Sequence, residues 1–146
     1  PTKELTTRWK EGTPEPQPKE SDREPNLLGN RKLYILQNEH SASAAEIMIG
    51  ALHETAHGTT IGEPSFGKGI YQLDAPGVAA GASVHVTKGH YFTPSGYWPG
   101  DAHKHKHPME PDKRVPNPPR TLLNTPDDEQ LNYALRLARN ELGNTP

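Results

Sequence analysis

The chain has 146 residues, no cysteine, and 16 lysines and arginines against 18 aspartates and glutamates, for a formal net charge of −2. This balance does not favour nucleic acid or an anionic membrane surface as a partner, and the lack of cysteine excludes disulfides and thiolate metal sites. No apolar run approaches the roughly 18 residues that a membrane span requires, so none is predicted.

Large apolar residues are scarce. Leu, Ile, Val and Phe together account for 24 of the 146 residues, about 16%, which is below the roughly 20% usual for a self-sufficient globular domain. The small net charge argues against disorder. We therefore expect a segment that completes its core against upstream chain or a second subunit, with a homo-oligomer as one form of the latter.

Proline placement divides the chain into three parts. Residues 1–30, with Pro14, Pro16 and Pro18 among charged residues, predict an extended arm or loop. Residues 31–124 form the predicted core segment, in which 97–124 is an irregular loop rich in His and Pro. Residues 125–146 hold the predicted C-terminal helix.

The core segment begins with a predicted strand and helix. Residues 32–37 are short and apolar on both faces, which is typical of a buried strand. Residues 44–57 follow with helical periodicity, and Gly58 is expected to end this helix. Its apolar stripe is predicted to contain Ile47, Met48, Ala51 and Leu52.

Strands then dominate up to the irregular loop. Residues 59–62 predict a strand, 63–69 a loop and 70–74 a second strand by alternation, while 83–88 and 91–92 return to complete a β-hairpin. The last helix is predicted over 130–141, with acidic residues at its N-terminal end. This order of strand, helix, strand and hairpin indicates an α/β fold.

A serine stands at the predicted start of the first helix. Ser41 and Ser43 lie where free backbone N–H groups and the helix dipole favour a developing oxyanion. The same position suits a helix N-cap, and the local sequence does not separate the two roles.

Twenty-five residues after Ser43, Lys68 stands between Gly67 and Gly69 in an otherwise uncharged stretch. A lysine held in an apolar pocket loses proton affinity and serves as a general base, whereas an exposed loop lysine does not. The pairing with an upstream serine favours the catalytic interpretation.

Four blocks of the chain resemble the carboxyl-terminal processing peptidases, also called tail-specific proteases. They match that family in order and spacing over about residues 33–115. The blocks are Asn38-Glu-His-Ser-Ala-Ser-Ala-Ala-Glu-Ile47, Gly62-Glu-Pro-Ser-Phe-Gly-Lys-Gly69 followed by Gln72, Tyr91-Phe-Thr-Pro-Ser-Gly96 and Glu110-Pro-Asp112. The family uses a Ser/Lys dyad on a fold related to crotonase and Clp protease.

The resemblance implies a role for each matching residue. It makes Ser43 the nucleophile, Lys68 its general base, Gln72 the residue that orients the lysine, the Ala44 N–H one oxyanion donor and Glu54 a candidate helper. It further implies a serine endopeptidase that cleaves protein or peptide substrates near their C-termini without a cofactor. The chain would be the C-terminal half of the catalytic core, with the second oxyanion donor upstream, in the bacterial envelope or an equivalent lumen.

Two alternative functions remain open. His53-Glu-Thr-Ala-His57 matches the H-E-x-x-H motif of zinc metallopeptidases, in which two imidazoles bind zinc and the glutamate is the base. Its position at the predicted helix end and the lack of a third ligand at short spacing weaken it. The other alternative is an interaction module that keeps the peptidase fold with an incomplete site.

Two further motifs are weaker. Ser65 and Lys68 formally match S-x-x-K, but that pattern requires a helix, which Gly67 and Gly69 disfavour. His103, His105 and His107 alternate with lysines and would share one face of an extended chain, as a divalent metal site requires. We expect instead a solvated polar insertion that binds metal only adventitiously.

Overall fold

The computed structural model of the chain describes residues 7–9, 29, 31–74 and 83–143. This part is mixed α/β, as predicted. In chain order its elements are β1 (Thr7–Trp9), β2 (Tyr34–Gln37), α1 (Ala44–Ala56), β3 (Thr59–Gly62), β4 (Ile70–Asp74), β5 (His85–Tyr91), β6 (Lys113–Arg114) and α2 (Glu129–Gly143). Neither of these helices is long and apolar enough to cross a lipid bilayer.

One sheet is parallel, and α1 connects two of its strands. β2 pairs with β3 from Tyr34 opposite Thr59 to Gln37 opposite Gly62, and β3 pairs with the short β6. α1 connects β2 to β3, so these elements form the β-α-β unit that the sequence predicted. The carboxyl ends of β2 and β3 lie at one edge, and the segments carrying Ser43 and Lys68 both leave the sheet there.

The other sheet is antiparallel, with strand order β1-β5-β4. β4 and β5 form the predicted hairpin, with a shift in register between Tyr71 and Gln72. Residues 7–9 belong to the segment predicted as an extended arm, but they form β1, in which Thr7 lies opposite Tyr91. The other residues of the predicted arm, apart from 29, lie outside the described residues.

The buried face of α1 differs from the predicted stripe. Glu46, Ile49 and Gly50 are its buried residues, whereas Met48 is 58% exposed. The helix is therefore rotated so that an acidic side chain points inward, because that carboxylate meets hydrogen-bond donors of a neighbouring loop. The helix also ends one residue earlier than predicted, with His57 as its C-cap in a left-handed conformation, φ 52°.

The last helix follows the prediction with slightly wider bounds. Asp128 precedes it and is 2% exposed, and its carboxylate accepts hydrogen bonds from the backbone N–H groups of Asn124 and Leu131 and from the Asn117 amide. Burial alone would raise the pKa of Asp128, but these hydrogen bonds outweigh it and lower the pKa. The residue thus acts as an ionised cap at the positive end of the helix dipole.

The described core is small, and polar side chains are as prominent in it as apolar ones. The buried hydrophobic residues are Ile35, Ile49, Ile61, Ile70, Tyr91 and Ala134. The buried polar residues include Gln37, whose amide nitrogen donates to the carbonyl oxygens of Glu63 (3.0 Å) and Met109 (2.7 Å). Hydrogen bonds from buried polar side chains to loop backbone therefore contribute much of the specificity of this fold.

Gly62 ends β3 in a conformation that excludes a side chain. Its φ is +132°, and a Cβ atom there would lie 2.0 Å from the Gln37 carbonyl oxygen. We expect Gly62→Ala to lower the free energy of unfolding by roughly 2–5 kcal/mol, through backbone strain and this clash. Denaturant unfolding measures it, with Gly96→Ala as the matched control, since Gly96 has φ +91° but a Cβ atom there would meet no atom within 4 Å. Equal losses for the two variants would contradict the clash.

Candidate active site

Ser43 occupies the turn that leads from β2 into α1. It is the N-cap residue of α1 and has φ 56° and ψ −116°, a left-handed conformation that is uncommon outside glycine. Such backbone strain costs roughly 1–3 kcal/mol and is concentrated at functional sites. The side chain is half-buried, and Ala44 after it is exposed. The first N–H groups of a helix have no acceptor within it. In α1 the Ala45 N–H donates to the Ala42 carbonyl oxygen at 3.1 Å, and the Ala44 N–H is the predicted oxyanion donor.

The Glu46 side chain joins the start of α1 to the loop that carries Lys68. Glu46 is fully buried, and its Oε2 accepts hydrogen bonds from the backbone N–H groups of Ser43 (2.9 Å) and Lys68 (2.8 Å). Its Oε1 accepts from the Gly67 N–H (2.7 Å) and the Ser65 hydroxyl (2.6 Å). One carboxylate therefore holds the backbones of both predicted catalytic residues.

Tyr91, at the end of β5, makes a second link between the same two residues. Its hydroxyl lies within hydrogen-bond distance of the Ser43 carbonyl oxygen (3.0 Å) and of the Lys68 carbonyl oxygen. The residue is 1% exposed, and burial, followed by the charge of Glu46, raises the pKa of its hydroxyl. Tyr91 thus stays a protonated donor over the working pH range.

Sequence reasoning assigned no role to Glu46 or Tyr91. For Glu46 a signal was present, since Ser43-x-x-Glu46 is the capping-box pattern, in which the glutamate accepts from the N-cap N–H. The further bonds from Gly67 and Lys68 come from a loop more than twenty residues away. For Tyr91 no local pattern indicated these contacts, because its partners Ser43 and Lys68 are 48 and 23 positions away along the chain.

Lys68 is half-buried, and its backbone is held on both sides. It forms an antiparallel bridge with Asp101, and Phe66 donates its N–H to the Ser41 carbonyl oxygen at 2.9 Å. The Lys68 ammonium forms no ion pair with a carboxylate in the described part of the chain.

Two of the predicted site residues, Gln72 and Glu54, take no part in the hydrogen bonds that join Ser43 and Lys68. Gln72 is exposed on β4 opposite Thr87, and among the described residues its side chain makes no hydrogen bond with Lys68. Its orienting role stays a prediction. Glu54 is eleven residues beyond Ser43, about 16 Å along the axis of α1. Its carboxylate accepts a hydrogen bond from the Ser95 N–H at 2.6 Å. Any contribution of Glu54 to catalysis would therefore be indirect, through the position of the Ser95 segment.

The H-E-x-x-H residues lie at the C-terminal end of α1, beside an open cleft of about 810 Å³. His53 pairs with Asp112, at 3.1 Å between Nε2 and Oδ1, Glu54 is engaged by Ser95, and His57 is the exposed C-cap. No group of three His, Asp or Glu side chains that could hold a metal occurs in the described ranges. The zinc alternative therefore gains no support.

The Asp112 carboxylate has a structural role, since it binds Thr60 as well as His53. Its Oδ2 accepts from the Thr60 N–H at 2.8 Å and is 3.0 Å from the Thr60 hydroxyl oxygen. Burial would raise the pKa of Asp112, but the bonds from Thr60 and the pairing with His53 lower it instead. The carboxylate thus fastens the segment before β6 to β3 and to α1.

The two weaker motifs, the S-x-x-K pattern and the histidines at 103, 105 and 107, have other partners in the structure. Ser65 lies in a loop, as expected, where its hydroxyl donates to Glu46 and accepts the Met109 N–H at 2.8 Å. His103, His105 and His107 are all exposed. His105 pairs with Asp101 at 3.0 Å, and these side chains belong to no metal-binding group of the described residues.

Comparison with known proteins identifies the family. The model of Peptidase family S41 matches residues 2–115. The carboxy-terminal processing protease CtpB of Bacillus subtilis is 35% identical over 96 residues, which cover 64% of this chain and 19% of that protein. A carboxyl-terminal-processing protease of Synechocystis sp. is 36% identical over 110 residues, 74% of this chain and 24% of that protein.

A solved structure is also similar, the photosystem II D1 C-terminal processing protease. It is 33% identical, with a TM-score of 0.49, over 58% of this chain and 20% of its own. The chain belongs to peptidase family S41. The predicted resemblance to carboxyl-terminal processing peptidases is thus confirmed, and the chain spans about a fifth to a quarter of the length of the relatives described.

Proposed function

We propose that this chain carries the Ser/Lys dyad of a serine endopeptidase that cleaves proteins near their C-termini. The observation that supports it most is that Ser43 and Lys68 both donate their backbone N–H to one oxygen of the buried Glu46 carboxylate. Two residues 25 positions apart are thereby held together at the carboxyl edge of a parallel sheet, where α/β proteins place their ligands.

The reaction proceeds through an acyl-enzyme. The neutral Lys68 amine takes the proton of Ser43 Oγ as the oxygen attacks the peptide carbonyl carbon. The resulting ammonium then protonates the leaving amine, so that the C–N bond breaks and an ester to Ser43 remains. Water, deprotonated by Lys68, hydrolyses that ester. The Ala44 N–H stabilises the oxyanion at each tetrahedral stage, and Gln72 orients the lysine.

The proposed fold, substrates and location follow from family membership and from the small core. The fold is a partial peptidase core of the crotonase and Clp type, completed by upstream chain or by another subunit that supplies the second oxyanion donor. Substrates are the C-terminal tails of proteins or unfolded proteins. We place the protein in the bacterial envelope or an equivalent lumen; two relatives from Arabidopsis thaliana are named as chloroplastic.

The test compares Ser43→Ala with Ser41→Ala in the full-length protein that contains this segment, with casein as unfolded substrate. We expect Ser43→Ala to lower kcat at least about 10³-fold, because no nucleophile remains. Ser41→Ala removes a hydroxyl that accepts the Asn38 N–H at 3.1 Å and should keep most of the activity.

Two results would contradict the proposal. Full activity of Ser43→Ala, together with loss of activity in a chelator or in Glu54→Ala, would support the zinc alternative. A wild-type protein that cleaves nothing while it still binds casein would support the interaction module.

A further inference from the structure

Residues 99–107, here called the basic hairpin, are bonded directly to the residues that flank Lys68. The Gly69 N–H donates to the Gly100 carbonyl oxygen at 2.6 Å, and the Ala102 N–H donates to the Gly67 carbonyl oxygen at 3.1 Å. The approach is close, since a Cβ atom on Gly69 would lie 2.8 Å from Cδ of Pro99. The position of the basic hairpin is thus set relative to the proposed active site.

The basic hairpin is also ordered by its own hydrogen bonds. The His107 N–H donates to the Pro99 carbonyl oxygen at 2.9 Å, and the Asp101 N–H to the His105 carbonyl oxygen at 3.0 Å. The Asp101 carboxylate accepts from the N–H groups of His105 (2.9 Å) and His103 (2.8 Å), and these bonds lower its pKa. A loop ordered in this way loses little entropy when it binds a ligand.

The two lysines of the basic hairpin are exposed, one in its turn and one opposite Gly100. Lys104 and Lys106 are both exposed, and in the described part of the chain neither forms an ion pair with a carboxylate. The Lys106 ammonium lies 3.7 Å from the centroid of the Phe66 ring, two residues before Lys68. The carboxylate within the hairpin, Asp101, is occupied by the hairpin's own donors, so an incoming carboxylate would meet the two lysines.

We propose that Lys104 and Lys106 bind aspartate or glutamate side chains of the substrate, so that the site prefers acidic peptides. This inference rests on the proposed peptidase function, because it assigns a substrate preference to that site. The attraction involves exposed charges, so it should be modest and should weaken as salt screens it.

The test measures binding to the full-length Ser43→Ala protein, which removes the proposed nucleophile. Three fluorescent peptides of equal length differ only in three positions, occupied by Glu, Gln or Lys, and their Kd is measured by anisotropy at 0.05 M and 0.5 M NaCl. We expect the Glu peptide to bind about fivefold more tightly than the Gln peptide at low salt, and about equally at high salt. The Lys peptide should bind most weakly.

Charge variants locate the preference. Lys104→Glu combined with Lys106→Glu should reverse it, and Lys104→Gln with Lys106→Gln should abolish it. Lys32→Glu with Lys113→Glu changes net charge equally, at exposed lysines outside the hairpin, and should leave it intact. Thermal unfolding of each variant verifies the fold.

Three outcomes would overturn the inference: equal Kd values for the Glu and Gln peptides, a preference that survives in the hairpin variants, or tighter binding of a single-stranded oligonucleotide of equal charge. Cleavage of the same peptides by the unmutated protein separates the two proposals. Cleavage without an acidic preference refutes only the role of the hairpin, whereas an acidic preference in binding without cleavage refutes only the peptidase.

Discussion

Lys68→Arg is expected to lower kcat by about 10²–10⁴-fold while the protein stays folded. Arginine keeps the positive charge but does not release its proton in the working pH range, so it provides no general base. The fold should persist because the contacts that position this residue involve its backbone N–H, its carbonyl oxygen and the bridge to Asp101. None of these contacts uses the lysine side chain.

The measurement is kcat and kcat/KM of the full-length wild type, Lys68→Arg and the control Lys32→Arg between pH 6 and pH 10. A base acts only when it is deprotonated, so wild-type activity should be low at acidic pH, rise with pH and then level off. Lys32→Arg should follow the wild-type profile. A flat wild-type profile, or more than a tenth of wild-type activity in Lys68→Arg, would exclude Lys68 as the base.

Glu46→Ala is expected to lower the free energy of unfolding by about 3–5 kcal/mol, a large part of the stability of a typical domain. The substitution leaves donors on Ser43, Ser65, Gly67 and Lys68 without their acceptor in a buried place, and each lost partner of this kind costs about 1–3 kcal/mol. The loss is not additive, since water entering the cavity would satisfy part of the set.

Glu46→Gln separates positioning from stability. The glutamine side chain has the same size as glutamate. Its amide nitrogen, however, cannot accept the hydrogen bonds that one carboxylate oxygen of Glu46 accepts in the wild type. We expect a smaller loss of stability, about 2 kcal/mol, and a fall in kcat of about 10²-fold at unchanged KM, because the Lys68 backbone would shift from its place.

Urea unfolding and steady-state kinetics measure the two effects of Glu46 substitution. The control is Glu39→Gln, at an exposed glutamate four residues before Ser43, which should change stability by no more than about 0.5 kcal/mol. Wild-type stability and kcat in Glu46→Gln would show that this carboxylate does not position the dyad.

The elements with strong local patterns were predicted well. The strand, helix and strand around Ser43, the β4–β5 hairpin and the last helix all occur in the predicted order. Their signals come from neighbours along the chain: alternation for strands, a period of 3.6 for helices, and acidic residues at a helix start. The resemblance to the family was likewise readable, because residue order and spacing carry it, and the family match confirms the family.

Predictions that depended on packing were less successful. The apolar stripe of α1 placed Met48 inward, yet it is exposed while Glu46 is buried. The zinc motif, kept only as a disfavoured alternative, lies at the end of α1. There the partner of His53 is Asp112, 59 positions away, which no local pattern indicated. β1 was missed because three residues carry too little pattern and their partner strand is about 80 residues distant.

The sequence by itself determined the family and the α/β order of elements, and it nominated Ser43 and Lys68 as the proposed dyad, since these inferences depend on residue identity and spacing. Only the tertiary structure decided that Glu46 and Tyr91 hold the backbones of that pair together. The physical reason is that a buried carboxylate is tolerated only where enough donors converge on it. That convergence depends on how α1 is rotated against the sheet and where the loop 63–69 passes, which no local pattern of residues encodes.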